Sequence, residues 1–383
     1  METKNGITNL RSHSRLRIAQ LAPLYERIPP KLYGGTERVV SYITEELVAR
    51  GHDVTLFAAG DSQTAAHLSP GCVHALRLEG KPELGVCLQL PMISDVFGRL
   101  ADHFDVVHSH LDYWGLPFAE LTNLPTITTM HGRLDLPELH PVYAHYSQAP
   151  LVSISEAQRT PMPWMNWIAT INHGIPRDLL KFSAATGKYL AFLGRISPEK
   201  RPDLAIDVAL KAGIPLKIAA KVDVVDSDYF EAIIRPRLSP PDVEYIGEVN
   251  ETEKSEFLGN ALALLFTIDW PEPFGLAMIE AMACGTPVIA RPCGSVPEVV
   301  RPGLTGYIES SLDRLVDATK NIERLSRADC RKEFEARFTV ETMVDRYVAA
   351  YRRVIAGKSA PTVRPGVHSP SGINRVSWNG VLR

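Results

Sequence analysis

Short apolar runs rich in β-formers alternate with amphipathic helical segments along most of the chain, and near Tyr189 the alternation begins again. Few architectures accept that order. It is the signature of parallel sheets covered by helices, and so of an α/β protein. In the first half the spacing predicts a strand over 16–21 and a helix over 36–50, whose Val39, Val40, Ile43, Leu47 and Val48 form one apolar face. Gly51 closes that helix, and a second strand over 53–58 completes a βαβ unit. Further strands are expected over 105–109, 126–130, 151–155 and 168–172, whereas 61–104 shows no clear period.

After Tyr189 strands are expected over 189–193, 216–220, 243–246, 263–267 and 287–290, with helices over 202–212, 229–238, 252–259 and 275–283. Two such units in succession imply two Rossmann-like, doubly wound domains and a ligand cleft beyond the carboxyl ends of their strands. The expected organisation is a disordered N-terminal arm (1–15), a first domain (16–175), a second domain (176–338), a closing helix (339–356) and a disordered tail rich in Pro, Gly and Ser (357–383). The segment 173–188, with Gly174, Pro176 and Gly187, is the expected linker.

The 383 residues carry 41 Lys+Arg against 44 Asp+Glu, and a net charge of -3 offers a polyanion nothing, so nucleic acid is not an expected partner. The longest apolar run, 261–268, is far shorter than the ~20 residues of a membrane-spanning helix. No transmembrane segment is expected, with peripheral membrane contact left open. Residues 1–15 are polar and basic without an apolar core, which does not read as a secretory signal and gives a cytoplasmic expectation. Five cysteines with no C-x-x-C pair read as reduced thiols.

The most informative stretch runs from Asp269 to Val288 and holds Trp270-Pro-Glu-Pro-Phe-Gly, then a helix. Glu272 falls in a Pro-bounded loop after a strand and Glu280 inside the helix, with seven residues between them. The N–H groups of Phe274, Gly275 and Leu276 would sit at a helix N-terminus, where unpaired donors and the dipole attract anions such as phosphate. A carboxylate beside that site accepts hydrogen bonds only, which suits the vicinal hydroxyls of a ribose or a sugar. The plainer alternative is that Glu272 stabilises a helix dipole and Glu280 faces solvent.

That motif, with Phe-Leu-Gly-Arg-Ile-Ser-Pro-Glu-Lys at 192–200, resembles glycosyltransferase family 4, nucleotide-sugar enzymes of the two-domain GT-B fold. The likeness extends to Tyr-Ile-Gly-Glu-Val at 245–249, Gly-Ser-Val-Pro-Glu-Val-Val at 294–300 and Gly-Leu-Thr-Gly-Tyr at 303–307. Pro-Pro-Lys-Leu-Tyr-Gly-Gly-Thr-Glu-Arg-Val-Val at 29–40 looks like the family's glycine loop and, more loosely, like its avilamycin-type subgroup. The resemblance implies a retaining hexosyltransferase that takes a nucleoside diphosphate sugar as donor and a sugar, lipid-linked or small-molecule acceptor. It implies that Arg195 and Lys200 contact the donor diphosphate, that Gly247 and Glu248 lie near the base, that Glu280 holds the ribose and that His131 lies near the donor sugar. Two fixed cations can stabilise a departing diphosphate without a metal, so neither metal nor cofactor is expected. The candidate catalytic residues are His131, Arg195, Lys200 and Glu272. The candidate donor-binding residues are Gly34, Gly35, Arg195, Lys200, Gly247, Glu248, Glu272, Phe274, Gly275, Leu276 and Glu280.

Bland readings stand beside these. Arg195 and Lys200 could be solvated surface cations, Gly34-Gly35 a tight turn, and His131 a structural histidine. Glu37 is expected to stabilise a helix dipole. Family members often carry Gly after the motif lysine, whereas Arg201 stands here, and it is given no role. His108 and His110 share a strand face, yet no third or fourth ligand has metal-site spacing. Tyr113 and Trp114 could stack on an acceptor sugar or pack in a core. Two other functions fit the same architecture: a nucleotide-sugar epimerase, and an inactive nucleotide-sugar binding protein. No G-x-G-x-x-G follows the first strand, which disfavours a dinucleotide oxidoreductase.

Overall fold

The computed structural model describes residues 15–358 apart from 33 and 186, so most of the expected arm and tail lies outside the described residues. The first sheet contains β1 (Arg17–Leu21), β2 (Asp53–Ala59), β3 (His67–Cys72), β4 (Val106–Ser109), β5 (Thr126–Thr129), β6 (Leu151–Ser153) and β7 (Trp167–Thr170). The second contains β8 (Tyr189–Ile196), β9 (Leu216–Val222), β10 (Val243–Gly247), β11 (Ala261–Phe266), β12 (Val288–Ala290) and β13 (Gly306–Ile308). Their orders are β3-β2-β1-β4-β5-β6-β7 and β10-β9-β8-β11-β12-β13, and every pairing is parallel. These are the two doubly wound sheets that the alternation predicts.

Helices of eight residues or more among the described residues are α1 (Gly35–Ala49), α2 (Gly85–Phe97), α3 (Pro202–Ala212), α4 (Glu251–Gly259), α5 (Leu276–Ala283), α6 (Leu312–Lys320), α7 (Arg327–Arg337) and α8 (Val340–Lys358). The stretch without a clear period holds β3 and α2. β3 is an edge strand containing Pro70 and Gly71, residues that an edge tolerates because one side needs no ladder bonds. The helix expected over 229–238 is instead a single turn, a π-type stretch at Phe230–Ile234 and a 3₁₀ turn at Arg235–Arg237. Phe230 and Ile234 are still buried, so the apolar spacing served the core, while Pro236 ended the regular ladder.

α8 follows the second sheet in sequence but packs on the first. Val340, Met343, Val344, Tyr347, Val348 and Tyr351 join a core with Ile18, Val39, Ile43, Val106, Ile127 and Val152. Beside it the outgoing and returning chain segments bond to each other: Ile175 N donates to Phe338 O at 3.0 Å and Val340 N to Ile175 O at 2.9 Å. Gly174 is required there, since a Cβ would lie 2.3 Å from Thr339 O. A second tie crosses between the halves, where the Glu298 carboxylate accepts the Glu156 and Ala157 N–H groups at 2.8 and 2.7 Å.

Tyr347 is fully buried, and its hydroxyl lies 3.1 Å from Thr129 Oγ1. Tyr347→Ala should lower stability by about 3–5 kcal/mol, chiefly through the cavity it leaves in this core. Urea unfolding measures it; a loss below about 1 kcal/mol would mean that α8 is dispensable to the first domain's core.

Candidate active site

Strand order in the second sheet reverses between β8 and β11, so the loops leaving those strands diverge and open a crevice. The β8 loop carries Arg195 at the strand end and Lys200 beyond it; the β11 loop carries Trp270, Glu272 and Gly275 before α5. Gly275 adopts φ 81°, and a Cβ there would lie 2.8 Å from both Phe266 Cζ and Met278 Cε. Only glycine fits that turn into α5.

A cleft of about 470 Å³ opens between the two sheets. Gly34, Gly35, His131, Arg195, Lys200, Glu248, Glu272, Phe274, Gly275, Leu276 and Glu280 all line it. Gly247 does not; it ends β10 with φ 80°, one residue behind Glu248.

The cations at the cleft wall are held by carboxylates. Lys200 Nζ is paired with Glu272 and lies 4.6 Å from the Trp270 ring centroid. Trp270 Nε1 donates to the same Glu272 carboxylate at 2.9 Å, which fixes the lysine, the indole and the acid as one unit. From the first domain, Arg133 approaches the Trp270 ring at 5.8 Å. Arg195 pairs with Glu199 and lies 3.3 Å from Asp226. Lys254 Nζ donates to Glu280 at 2.7 Å and lies 3.4 Å from Glu251, which in turn pairs with Arg38 of α1. Arg38 also donates to Leu32 O at 2.6 Å, so an ionic chain runs from Glu280 across the cleft to the loop before α1. Glu280 is buried and does not face solvent.

Arg201 explains its own departure from glycine. It sits at φ 55°, ψ 48°, in the left-handed region, as the residue before α3. Its guanidinium turns to Asp203, with bonds of 2.8–3.0 Å, and lies 3.5 Å from Asp269. These ion pairs hold a non-glycine residue in a strained conformation, and Arg201 is not among the residues lining the cleft.

The first domain presents α1 and a cluster of histidines. Gly34 packs against Pro30, with Glu37 Oε2 also close to where a Cβ would project. Glu37 lines the cleft, and burial pushes its carboxyl up from the usual range. His131 lies beyond β5 and His173 beyond β7; their rings stack at 5.3 Å and both line the cleft. His108 bonds to Tyr351 and Thr129, and His110 to His131 and Gln20, so the ring nitrogens of this pair are taken by protein partners. Tyr113 and Trp114 pack into apolar clusters of the first domain and do not line the cleft.

Sequence reasoning missed Arg38, Lys254 and His173. Arg38 lies on a helix face whose partner, Glu251, comes from the other half of the chain, and Lys254 looks like an ordinary exposed lysine until the fold sets it beside Glu280. His173 was the one legible signal, a histidine directly after an expected strand in the linker.

Residues 33–175 match Glycosyltransferase Family 4, and residues 181–337 match Glycosyl transferases group 1. Between them the matches take in most of the chain. A D-inositol 3-phosphate glycosyltransferase of Mycobacterium tuberculosis is 31% identical over 211 residues. That alignment covers 50% of this chain and 43% of the relative, so the chain spans under half of that relative's length. The crystal structure of AviGT4, a glycosyltransferase involved in avilamycin A biosynthesis, superposes with a TM-score of 0.68 at 24% identity, covering 89% of this chain and 98% of that one. Anabaena HepE in complex with UDP and glucose superposes with a TM-score of 0.69 at 17% identity, covering 88% and 100%. The fold is GT-B.

Burial holds the imidazoles of His108, His110 and His173 well below their usual value and that of His131 at about 3. They fold neutral but take up protons when unfolded. Their contribution is therefore complete above about pH 6.5 and is lost as pH falls toward the folded values. Urea midpoints should drop steeply between pH 7 and 5.5, above the range where paired carboxylates titrate. An unchanged midpoint would show that these rings are charged or hydrated in the folded chain.

Proposed function

Because the chain belongs to glycosyltransferase family 4, we propose that it transfers a hexosyl group from a nucleoside diphosphate sugar to an acceptor hydroxyl, in the cytoplasm and with retention at the anomeric carbon. The acceptor class is a glycan, a lipid-linked sugar or a small molecule. The observation that carries the reading is the convergence of Arg195, Lys200 and the start of α5 at the switch point of the second sheet. As the glycosidic bond breaks, negative charge grows on the β-phosphate oxygen. Cations and helix N–H groups fixed beside it bind that state more tightly than the intact donor, which lowers the barrier.

On this reading the donor enters by exchange of ion pairs. Its diphosphate takes Arg195 and Lys200 from Glu199 and Glu272, and its ribose hydroxyls take the Glu280 carboxylate from Lys254. Glu248 approaches the base, and the first domain supplies the acceptor surface and His131. Glu37 is the carboxylate that the first domain contributes to the cleft lining. The reading is front-side displacement assisted by the leaving group, which asks for no side-chain nucleophile, over a covalent glycosyl-enzyme. With the diphosphate neutralised by side chains, the transfer needs no divalent metal.

Arg195→Ala and Lys200→Ala should each reduce kcat by about 10² to 10³ while the chain stays folded. Radiolabelled UDP-glucose and other nucleotide sugars, tested with and without acceptor sugars and with chelator, measure this. Product formed without acceptor would instead indicate epimerisation, and loss of activity in chelator that magnesium restores would refute the metal-free reading. Near-normal turnover of both variants at saturating substrates would remove the cations from the mechanism.

Glu280→Ala should mainly raise the donor KM, since the ribose contact is made equally in ground and transition states. Steady-state kinetics in donor concentration decide it; a large fall in kcat at unchanged KM would assign Glu280 to the chemical step.

A further inference from the structure

A continuous chain of polar side chains runs through the first domain from α8 to the cleft. Tyr347 OH lies 3.1 Å from Thr129 Oγ1, which lies 2.7 Å from His108 Nε2; His108 Nδ1 lies 2.8 Å from Tyr351 OH. Gln20 Nε2 donates to Tyr351 OH at 3.2 Å, and Gln20 Oε1 lies 2.9 Å from His110 Nε2. His110 Nδ1 lies 2.8 Å from His131 Nε2. The chain ends at His131 Nδ1, a buried atom with no hydrogen-bond partner among the described residues, on a ring that lines the cleft.

Gln20 gives this chain a direction. Its amide oxygen only accepts, so His110 Nε2 carries the proton, and a neutral imidazole has one proton to carry. His110 Nδ1 is then an acceptor, and His131 Nε2 must be the donor to it. His131 Nδ1 is left with a bare lone pair. Toward α8 the same logic closes without conflict: Tyr351 accepts from Gln20 and donates to His108, whose Nε2–H donates to Thr129.

We propose that Gln20, His110 and Tyr351 are positioning residues that lock His131 into the Nε2–H tautomer, so that its Nδ1 meets the cleft ligand as an acceptor for a sugar hydroxyl. The inference rests on the proposed function only for the identity of that hydroxyl; the tautomer itself is a property of the free protein. It also makes α8, from the far end of the chain, part of what orients a cleft side chain. Orphaned buried polar atoms are uncommon in folded proteins, and a ligand hydroxyl is the partner whose chemistry completes this one.

Two-bond proton–nitrogen NMR correlation of the full ¹⁵N-labelled chain without ligand reads the tautomer directly, with the His131 signals assigned by their loss in His131→Gln. Wild type should show His131 protonated at Nε2 and bare at Nδ1. Tyr351→Phe removes the hydroxyl that orients the Gln20 amide and should give mixed tautomers at His131. Gln20→Met, which keeps volume but offers His110 no oxygen, should do the same and lower kcat/KM about tenfold. If the Gln20 amide is turned the other way, every proton in the chain shifts and His131 becomes an Nδ1–H donor. That tautomer in wild type, or a tautomer unmoved by both variants, overturns the proposal. Because the spectrum needs no substrate, failure of the tautomer and failure of the transfer reaction are read separately.

Discussion

Each strand runs parallel to its sheet neighbours, and that single constraint decides where chemistry can occur. A parallel sheet sends every strand-to-helix loop to the same edge, and at the switch point two such loops turn to opposite faces. In the second sheet those are the loops after β8 and β11. Lys200 is thereby brought against Glu272, 72 positions away in sequence, and Arg195 and the first turn of α5 line the same cleft. In the first sheet β4 and β5 are adjacent, and their shared carboxyl edge brings His110 to His131.

The electrostatics of the cleft follow from this crowding. Cations gathered at one edge would repel each other and lose hydration, and here each is compensated by a neighbouring carboxylate: Lys200 by Glu272, Arg195 by Glu199, Lys254 by Glu280 and Arg38 by Glu251. Half-buried pairs of this kind contribute little net stability, because desolvation offsets their attraction. Their value lies in keeping the side chains in place before a ligand arrives. An anionic ligand then finds oriented partners and does not have to order them itself.

The sheet-and-helix order and the loop motifs were legible in the sequence because they depend on local period. The Trp270-Pro-Glu-Pro-Phe-Gly stretch announced a strand end, a tight turn and a helix start, and Glu272, Gly275 and Glu280 stand there. β3 was illegible because Pro70 and Gly71 erase the alternation that an edge strand does not need. The turn at Phe230–Ile234 kept its apolar spacing but not its helical ladder. Arg38, Lys254 and the polar chain behind His131 were illegible for a different reason. Each residue looks like an ordinary surface or core side chain until the fold assembles its partners, across hundreds of positions for Gln20 and Tyr351 and between neighbouring helices for Lys254 and Glu280.

The return of α8 to the first sheet also bears on how the chain is made. A ribosome releases β1–β7 first, yet the helix that covers their apolar face, with Val340, Val344, Tyr347 and Tyr351, emerges only after the whole second sheet. At about 5–20 residues per second the interval is on the order of ten to thirty seconds. During that time Ile18, Val39, Ile43 and Ile127 lack a principal packing partner. The N-terminal half must therefore wait, incompletely packed and a natural client for chaperones, until the last described helix closes over it.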